Sequence, residues 1–383
     1  MNPVIVDAVR TPIGRSHPER GYFRNVRGDD LAAACIRALV QRTGIDPGVI
    51  EDVVLGNTQQ TGEQGLNVAR IVGLLAGLPV SVGGATVNRL CGSSLQAINQ
   101  AAHAIVAGAE DVQIVGGFEH MHHLPMNHGH NVNPKLFQRT SPAALKMGLT
   151  AEHLARKYDI TREQQDAFAL QSHQRAAAAR NAKDFEREIV PVYGHNEAGE
   201  RVLLGYDQCI RDDTSLAALA ALKPAFQAGG TVTAGNSSPT NDGAAALLMM
   251  SDHRASELGL KPLVRVRATA VVGVQPAEMG LGPVAATQKV LQRASLTLAD
   301  IDRIEINEAF AAQTIACARL LAIDESKLNV RGGAIALGHP LGASGARIAT
   351  TLIYAMLAGN ARLGLATMCI GLGQGIAAIF ERV

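Results

Sequence analysis

The sequence predicts an α/β protein assembled from two duplicated halves, and three observations carry that expectation. At 383 residues the chain is long for one hydrophobic core, and 47% apolar residues suffice to fill more than one. Strand-like runs alternate with helix-like segments, the pattern of buried and largely parallel sheets. The alternation also repeats: residues 52–57 parallel 302–307, each after a helix-like segment and a short polar turn. In the same order, the helix near Cys91 answers to one after Gly345, and the strand over 112–117 answers to 365–369.

Taken in order, the first strand-like run begins at Pro3, which leaves no room for a leader peptide ahead of it. Asp30 is placed to cap a helix over 31–42, whose Leu31, Ala34, Cys35, Ala38 and Leu39 form one apolar face before Gly44 ends it. From Leu95 the apolar residues recur as Ile98, Ala101 or Ala102, and Ile105, helical spacing that runs to Gly108. Cys91 is thereby expected in the first turn, where free N–H groups and the helix dipole favour a thiolate. Taken alone, such a cysteine is more often a buried packing residue than a nucleophile.

Residues 118–230 differ in character, being rich in His, Asn, Gln and charge, and read as an inserted loop domain. The remainder divides into an N-terminal half, 1–117 completed by 231–262, and a C-terminal half, 263–383. In the latter, His339 is fixed between Gly338 and Pro340 on a glycine-rich loop, a natural base for a distant thiol. Cys369 ends an apolar run that breaks into Gly371, Gly373 and Gly375. Two cysteines and a histidine at strand-to-loop junctions suggest acyl transfer through a thioester, with a separate acid for the departing carbon.

Composition narrows the alternatives. Lys+Arg of 35 against Asp+Glu of 34 gives no global attraction to nucleic acid. No apolar run is long enough to span a bilayer. Five cysteines without a C-x-x-C pair argue against disulfides or zinc and fit a reducing cytoplasm, with Cys35, Cys209 and Cys317 as packing residues. His120, His122, His123, His128 and His130 invite a metal reading, but no helix or hairpin signal fixes them, so no metal is expected. The glycines after Cys369 lack the following βαβ unit of a dinucleotide fold.

Several motifs in one order carry a resemblance over nearly the whole chain: residues 5–12, 87–97 around Cys91, 147–152, 233–238, 307–310, the His339 loop and the Cys369 tail. The chain resembles the thiolases, specifically the degradative 3-ketoacyl-CoA thiolases such as the β-subunits of bacterial fatty-acid oxidation complexes. The resemblance implies a five-layered αβαβα body. It implies Cys91 as nucleophile, His339 as its base and Cys369 as the acid for the leaving carbanion. The N–H groups of Cys91 and Gly371 would form one oxyanion site, and His339 with a water on Asn307 the other. Ser238 would meet the pantetheine amide of CoA, with Ala234, Gly235, Phe226, Met147, Ala309 and Phe310 lining the tunnel.

CoA is then a substrate, and no cofactor is implied. Lys146, where some short-chain biosynthetic members carry His, favours the degradative branch over an acetyl-CoA acetyltransferase. A non-catalytic lipid-binding relative and a decarboxylating condensing enzyme are the other readings. Implied partners are a second copy, as homodimer or tetramer, and an α-subunit with hydratase and dehydrogenase activity.

Overall fold

The computed structural model describes residues 1–383. β1 (Pro3–Arg10) leads through β2 (Gly14–Arg15) to α1 (Gly28–Thr43), β3 (Asp52–Gly56), α2 (Val68–Leu75), β4 (Ala85–Val87), α3 (Ser93–Ala107) and β5 (Val112–His120). Between the halves come α4 (Met147–Lys157), α5 (Arg162–Asn181), the hairpin of β6 (Val192–His195) and β7 (Arg201–Leu204), and α6 (Leu216–Ala220). The chain returns through β8 (Asn241–Ser251), α7 (Asp252–Glu257), β9 (Val264–Gly273), α8 (Gly282–Ala294), β10 (Arg303–Ile306), α9 (Ala311–Leu321) and α10 (Ala334–Leu337). It closes with α11 (Ser344–Ala358), β11 (Leu363–Ile370) and β12 (Gln374–Arg382).

Three apolar clusters define five layers. On one outside, Leu31, Ile36 and Leu39 of α1 and Val68 and Val72 of α2 cover Val9, Val53, Leu55, Ile114 and Leu248. In the middle, α3 (Leu95, Ile98, Ile105) and α11 (Ile348, Leu352, Ile353) lie between Ile5, Val115 and Leu247 of one sheet half and Met368, Ile376 and Ala378 of the other. On the far side, Val290 and Leu291 of α8 and Cys317 of α9 cover Ile304, Ile306, Leu365 and Ile379. Each fully buried Leu or Ile contributes roughly 1.5–3 kcal/mol, so a helix buried on both sides is strongly held. The strand order is β10-β11-β12-β9-β1-β8-β5-β3-β4, and the two sheet halves are hydrogen-bonded where Val4 and Ile5 pair with Arg265 and Val264.

The sheets are mixed, not largely parallel. β3 runs parallel to β4 and β5, and β10 to β11, whereas β1–β8, β5–β8, β11–β12 and β9–β12 are antiparallel. A strand buried on both faces is apolar whichever way its neighbour runs, so composition does not reveal direction. The decisive local device is the turn between β11 and β12, where Leu372 (φ 65°) and Gly373 (φ 80°) reverse the chain tightly.

Three further expectations change. Asp30 is not the cap of α1, because the helix begins at Gly28 with Arg27 at the N-cap; Asp29 and Asp30 sit in the first turn, where the dipole favours acidic groups. Ala34 and Ala38 are only partly covered, and Ile36 joins the buried face. β5 also continues beyond residue 117 through Phe118, Glu119 and His120, all buried. The polar pair at its end is tolerated because its groups find partners, as described below.

Candidate active site

The chain reaches Cys91 by a bent approach. Leu90 has φ 46°, Gly92 is the N-cap of α3, and Ser93 is its first residue, so Cys91 precedes the helix. Ser93 staples the bend: its Oγ donates to the Leu90 carbonyl at 2.6 Å and accepts from Arg89 N at 2.9 Å. Arg89 in turn donates to Gln96 Oε1 (2.9 Å) and to Gln374 Oε1 on β12 (3.0 Å). A Cβ on Gly92 would lie 2.6 Å from Ile370 Cδ1, which shows how closely this loop abuts the end of β11.

The Gly371 N–H and its own N–H favour the charged form of the Cys91 sulfur. Burial nevertheless pushes the thiol up to about 11, and the two N–H groups offset this only in part. The expected resting thiolate is therefore corrected: outside the first turn, Cys91 gains too little from the helix to overcome desolvation. Cys369 is 2% exposed, and burial followed by the neighbouring Cys91 raises it well above the ordinary thiol value. Both sulfurs are thiols at rest.

His339 follows Gly338, whose φ of 114° suits glycine and whose added Cβ would stand 2.6 Å from Asn241. The Asn241 side chain accepts the His339 N–H at 2.9 Å. The ring Nδ1 lies 2.6 Å from Ser344 Oγ, and that hydroxyl donates to the Pro340 carbonyl at 2.7 Å. With the hydroxyl proton committed, Nδ1 carries the ring proton and Nε2 keeps its lone pair. Asn307 Nδ2 approaches Nε2 at 3.3 Å, and Asn307 Oδ1 makes no hydrogen bond within the protein. Burial, then the charge of Arg347, lowers His339 to about 3, so the ring is neutral.

The segments that carry these two groups meet because the starts of α3 and α11 touch. Ala346 N donates to Ser94 Oγ at 2.9 Å, and a Cβ on Gly345 would come within 2.3 Å of Leu95 N. Cys91 lies just before one helix and His339 just before the other. Glu119 ties the surrounding loops by accepting from Thr58 N (3.0 Å), Thr58 Oγ1 (2.7 Å), Gln59 N (3.3 Å), Gln64 Nε2 (2.7 Å) and Gly342 N (3.0 Å).

Three of the predicted lining residues gather beside Cys369. Met147, Ala309 and Phe310 share its apolar cluster, and Met147 sulfur would be 3.5 Å from a Cβ on Gly371. Phe226 meets Phe310 edge to face at 5.8 Å and packs on Gly148. Ser238 donates to the Ala309 carbonyl from both N (3.0 Å) and Oγ (3.1 Å), which leaves lone pairs on Oγ for an incoming amide N–H. Gly235 abuts Leu219 and Leu222, and Ala234 is exposed. Lys146 is exposed at the N-terminal end of α4.

Residues 3–253 match the family description "Thiolase, N-terminal domain", and residues 260–382 match "Thiolase, C-terminal domain". The chain belongs to the thiolase family. A 3-ketoacyl-CoA thiolase of Shewanella sp. (strain ANA-3) is 55% identical over 99% of each chain, and one of Aeromonas salmonicida (strain A449) is 54% identical over the same share. Among solved structures, the Bacillus anthracis acetyl-CoA acetyltransferase is similar with a TM-score of 0.91 and 38% identity, covering 100% of this thiolase and 99% of that chain. Human mitochondrial 3-ketoacyl-CoA thiolase gives 0.91 at 36% identity with the same coverage.

Sequence reasoning missed Ser344 and Asn241, which touch His339, and Glu119, which ties Gly342 beyond the His339 turn to the Thr58 loop. Ser344 had a signal, since it stands five residues after His339 at the opening of a helix. The histidine cluster is knitted into the fold by hydrogen bonds. Glu63, His120 and His123 lie close enough to share an ion, yet every ring nitrogen of the pair is engaged. His120 Nε2 faces the Phe23 carbonyl at 3.0 Å, and its Nδ1 accepts from His123 N at 3.1 Å. His123 faces Glu63 Oε1 at 3.0 Å and the Arg24 carbonyl at 2.9 Å, two acceptors that call for an imidazolium.

Proposed function

We propose that this thiolase is a 3-ketoacyl-CoA thiolase, cleaving its substrate with CoA to acetyl-CoA and a shortened acyl-CoA through an acyl-enzyme on Cys91. The observation that carries it is the contact between the starts of α3 and α11, which brings the segments bearing Cys91 and His339 together, with Cys369 beside Cys91 and a neutral imidazole whose Nε2 faces Asn307 Nδ2. A resting thiol suits a neutral base: the proton of Cys91 passes to His339 as sulfur attacks the 3-keto carbon. The carbon–carbon bond then breaks, and Cys369 protonates the departing carbon. The proton on His339 restores Cys369. A CoA thiol gives its proton to His339 and attacks the thioester, and that proton returns to Cys91 as it leaves.

The N–H groups of Cys91 and Gly371 are proposed to hold the oxyanion at the attacked carbon, and His339 with Asn307 the enolate oxygen. Ser238 and the residues around Phe226, Phe310 and Met147 are proposed to seat the CoA arm. Acetyl-CoA acetyltransferase activity is the second reading, favoured by the Bacillus neighbour at 38% identity. Thiolysis of a chain-length series of 3-ketoacyl-CoAs separates the two, since exclusive use of acetoacetyl-CoA would overturn the first. Intact mass after quenching should show the acyl group on wild type and none on Cys91→Ala; an adduct on the variant would remove Cys91 as nucleophile.

We infer that the working form is at least a dimer. β4 is an unpaired sheet edge, and Leu66, Leu74, Leu75 and Val80 nearby are exposed. Light scattering on a sizing column checks this, and copurification tests for an α-subunit bearing hydratase and dehydrogenase. All five cysteines are free thiols, consistent with the reducing cytoplasm proposed as its location, and no helix is long and apolar enough to cross a membrane.

A further inference from the structure

Glu119, one residue from the end of β5, buries a carboxyl that the proposed reaction does not use. Its partners are neutral donors: the N–H groups of Thr58, Gln59 and Gly342 and the side chains of Thr58 and Gln64. Desolvating a carboxyl is costly, and these bonds offset the cost by drawing the 58–64 segment and the turn after His339 onto the end of one strand.

The two oxygens divide the work. Oε1 serves the 58–64 segment alone, accepting from Gln59 N at 3.3 Å and Gln64 Nε2 at 2.7 Å. Oε2 is shared, accepting from Thr58 N (3.0 Å) and Thr58 Oγ1 (2.7 Å) on one side and from Gly342 N (3.0 Å) on the other. The turn at Gly342 has no slack, since a Cβ there would stand 2.4 Å from the Phe118 carbonyl oxygen and 2.9 Å from that of Gly56.

From Thr58 the bonds continue to the nucleophile. Asn57 N donates to the Val87 carbonyl at 3.0 Å, and Asn88 Nδ2 donates to the Thr58 carbonyl at 3.1 Å. Asn88 Oδ1 then accepts from Leu90 N at 2.9 Å, and Leu90 immediately precedes Cys91. Gly342, Glu119, Thr58, Asn88 and Leu90 thus form one bonded path from the base's turn to the nucleophile's. On the other side of Cys91, Ser94 is bonded to Ala346. Cys91 therefore lies between two ties, at Leu90 and Ser94, that both end on the stretch from Gly342 to Ala346. A single contact leaves two segments free to pivot about it, whereas two fix their separation and angle.

We propose that Glu119 is a positioning residue for thiolysis: its Oε2, shared between Gly342 and Thr58 and relayed through Asn88 to Leu90, sets the gap between the His339 imidazole and the Cys91 sulfur. The inference rests on the proposed roles of those two residues. Proton transfer from thiol to imidazole depends steeply on that gap. Glu119 and Asn88 neither give nor take a proton, so their loss acts on the chemical step and leaves the seat of CoA in place.

The test is steady-state thiolysis of a 3-ketoacyl-CoA, with kcat expressed per Cys91 that an activated acyl ester labels in the same preparation, which discounts misfolded protein. Glu119→Ala should lower kcat about tenfold or more while KM moves by less than about threefold. Asn88→Ala, at the exposed end of the path, should lower kcat about threefold or more. The double variant should match Glu119→Ala to within about twofold, because both substitutions cut one path. A wild-type kcat per labelled site in Glu119→Ala would mean that the carboxyl merely holds the fold, and overturns the proposal. A double variant whose loss is the product of the single losses overturns it as well. Should Glu119→Ala not fold, Asn88→Ala decides alone, and an unchanged kcat there is fatal. Failure of the underlying reading is distinguishable, because Cys91→Ala or His339→Ala would then retain thiolysis whatever Glu119 does.

Discussion

The two halves of this thiolase share a frame and differ in what they hang on it. β3, α3 and β5 match β10, α11 and β11 in order, in parallel pairing and in the burial of their central helices, each of which is 15 residues long. The N-terminal half sets Cys91 just before its helix. The C-terminal half sets His339 before its helix and Cys369 at the end of the following strand. Duplication therefore places two helix starts in contact, and divergence gives each one half of an acid–base pair. The largest expected break in the comparison is chemical: Cys91→Ala should lower thiolysis by at least about 10³-fold, while Cys369→Ala should lower it by about 10²–10⁴-fold. The variants should separate further in half-reactions. Cys369→Ala should still take an acyl group from an activated ester onto Cys91, but should lose proton exchange at the methyl group of acetyl-CoA; loss of both would place Cys369 in the first step as well.

The contact between the two helices can be attacked directly. A methyl group on Gly345 would meet backbone at 2.3 Å, on an atom that cannot move independently of α3. Gly345→Ala should cost about 1–3 kcal/mol by overpacking, read as a lower urea midpoint with an unchanged slope, together with a loss of activity out of proportion to stability. An unperturbed variant would show that the helix starts are free to part. Ser344→Ala sharpens the same point with less damage. It removes the acceptor that fixes Nδ1–H, so kcat/KM should fall roughly tenfold, the ~1.4 kcal/mol expected of one hydrogen bond to the ring. Unchanged activity would mean that the tautomer is set elsewhere.

Much of this frame was legible in the sequence because it rests on periodicity and repetition. The spacing after Leu95, the paired strand motifs and the glycine-flanked His339 all carried through. Strand direction was not legible, because Val115, Leu247 and Met368 are buried equally well in parallel or antiparallel company. The protonation of Cys91 was misjudged for a related reason: dipole and N–H effects are local and readable, whereas desolvation depends on Ile370 and Ile376 arriving from a distant segment. Supporting residues such as Glu119 and Asn241 were invisible because their partners lie far along the chain, Gly342 for one and His339 for the other.

The halves differ most at the exits of the equivalent strands. β11 turns back at once through Leu372 and Gly373, while β5 opens into the long excursion that carries α4 and α5, and His123 pins its first turn to Glu63 and Arg24. Burial works against the charged ring, but the Arg24 carbonyl and the Glu63 carboxylate outweigh it and raise His123 above 6.5. Glu63 is lowered below 4.5, burial again being outweighed, here by the Gly28 N–H and His123. A raised histidine stabilises the fold fully below its unfolded value and ceases to as pH climbs through its folded one; a lowered carboxylate does so above its unfolded value and ceases as pH falls through its folded one. The clasp is therefore complete between about 4.5 and 6.5. Partly exposed, it should be worth under about 1 kcal/mol. The stability gap between wild type and His123→Gln, measured by denaturant titration, should narrow from pH 6 to pH 8. A gap that widened over that range would mean that His123 is neutral in the fold, and that something other than this ion pair holds the start of the excursion.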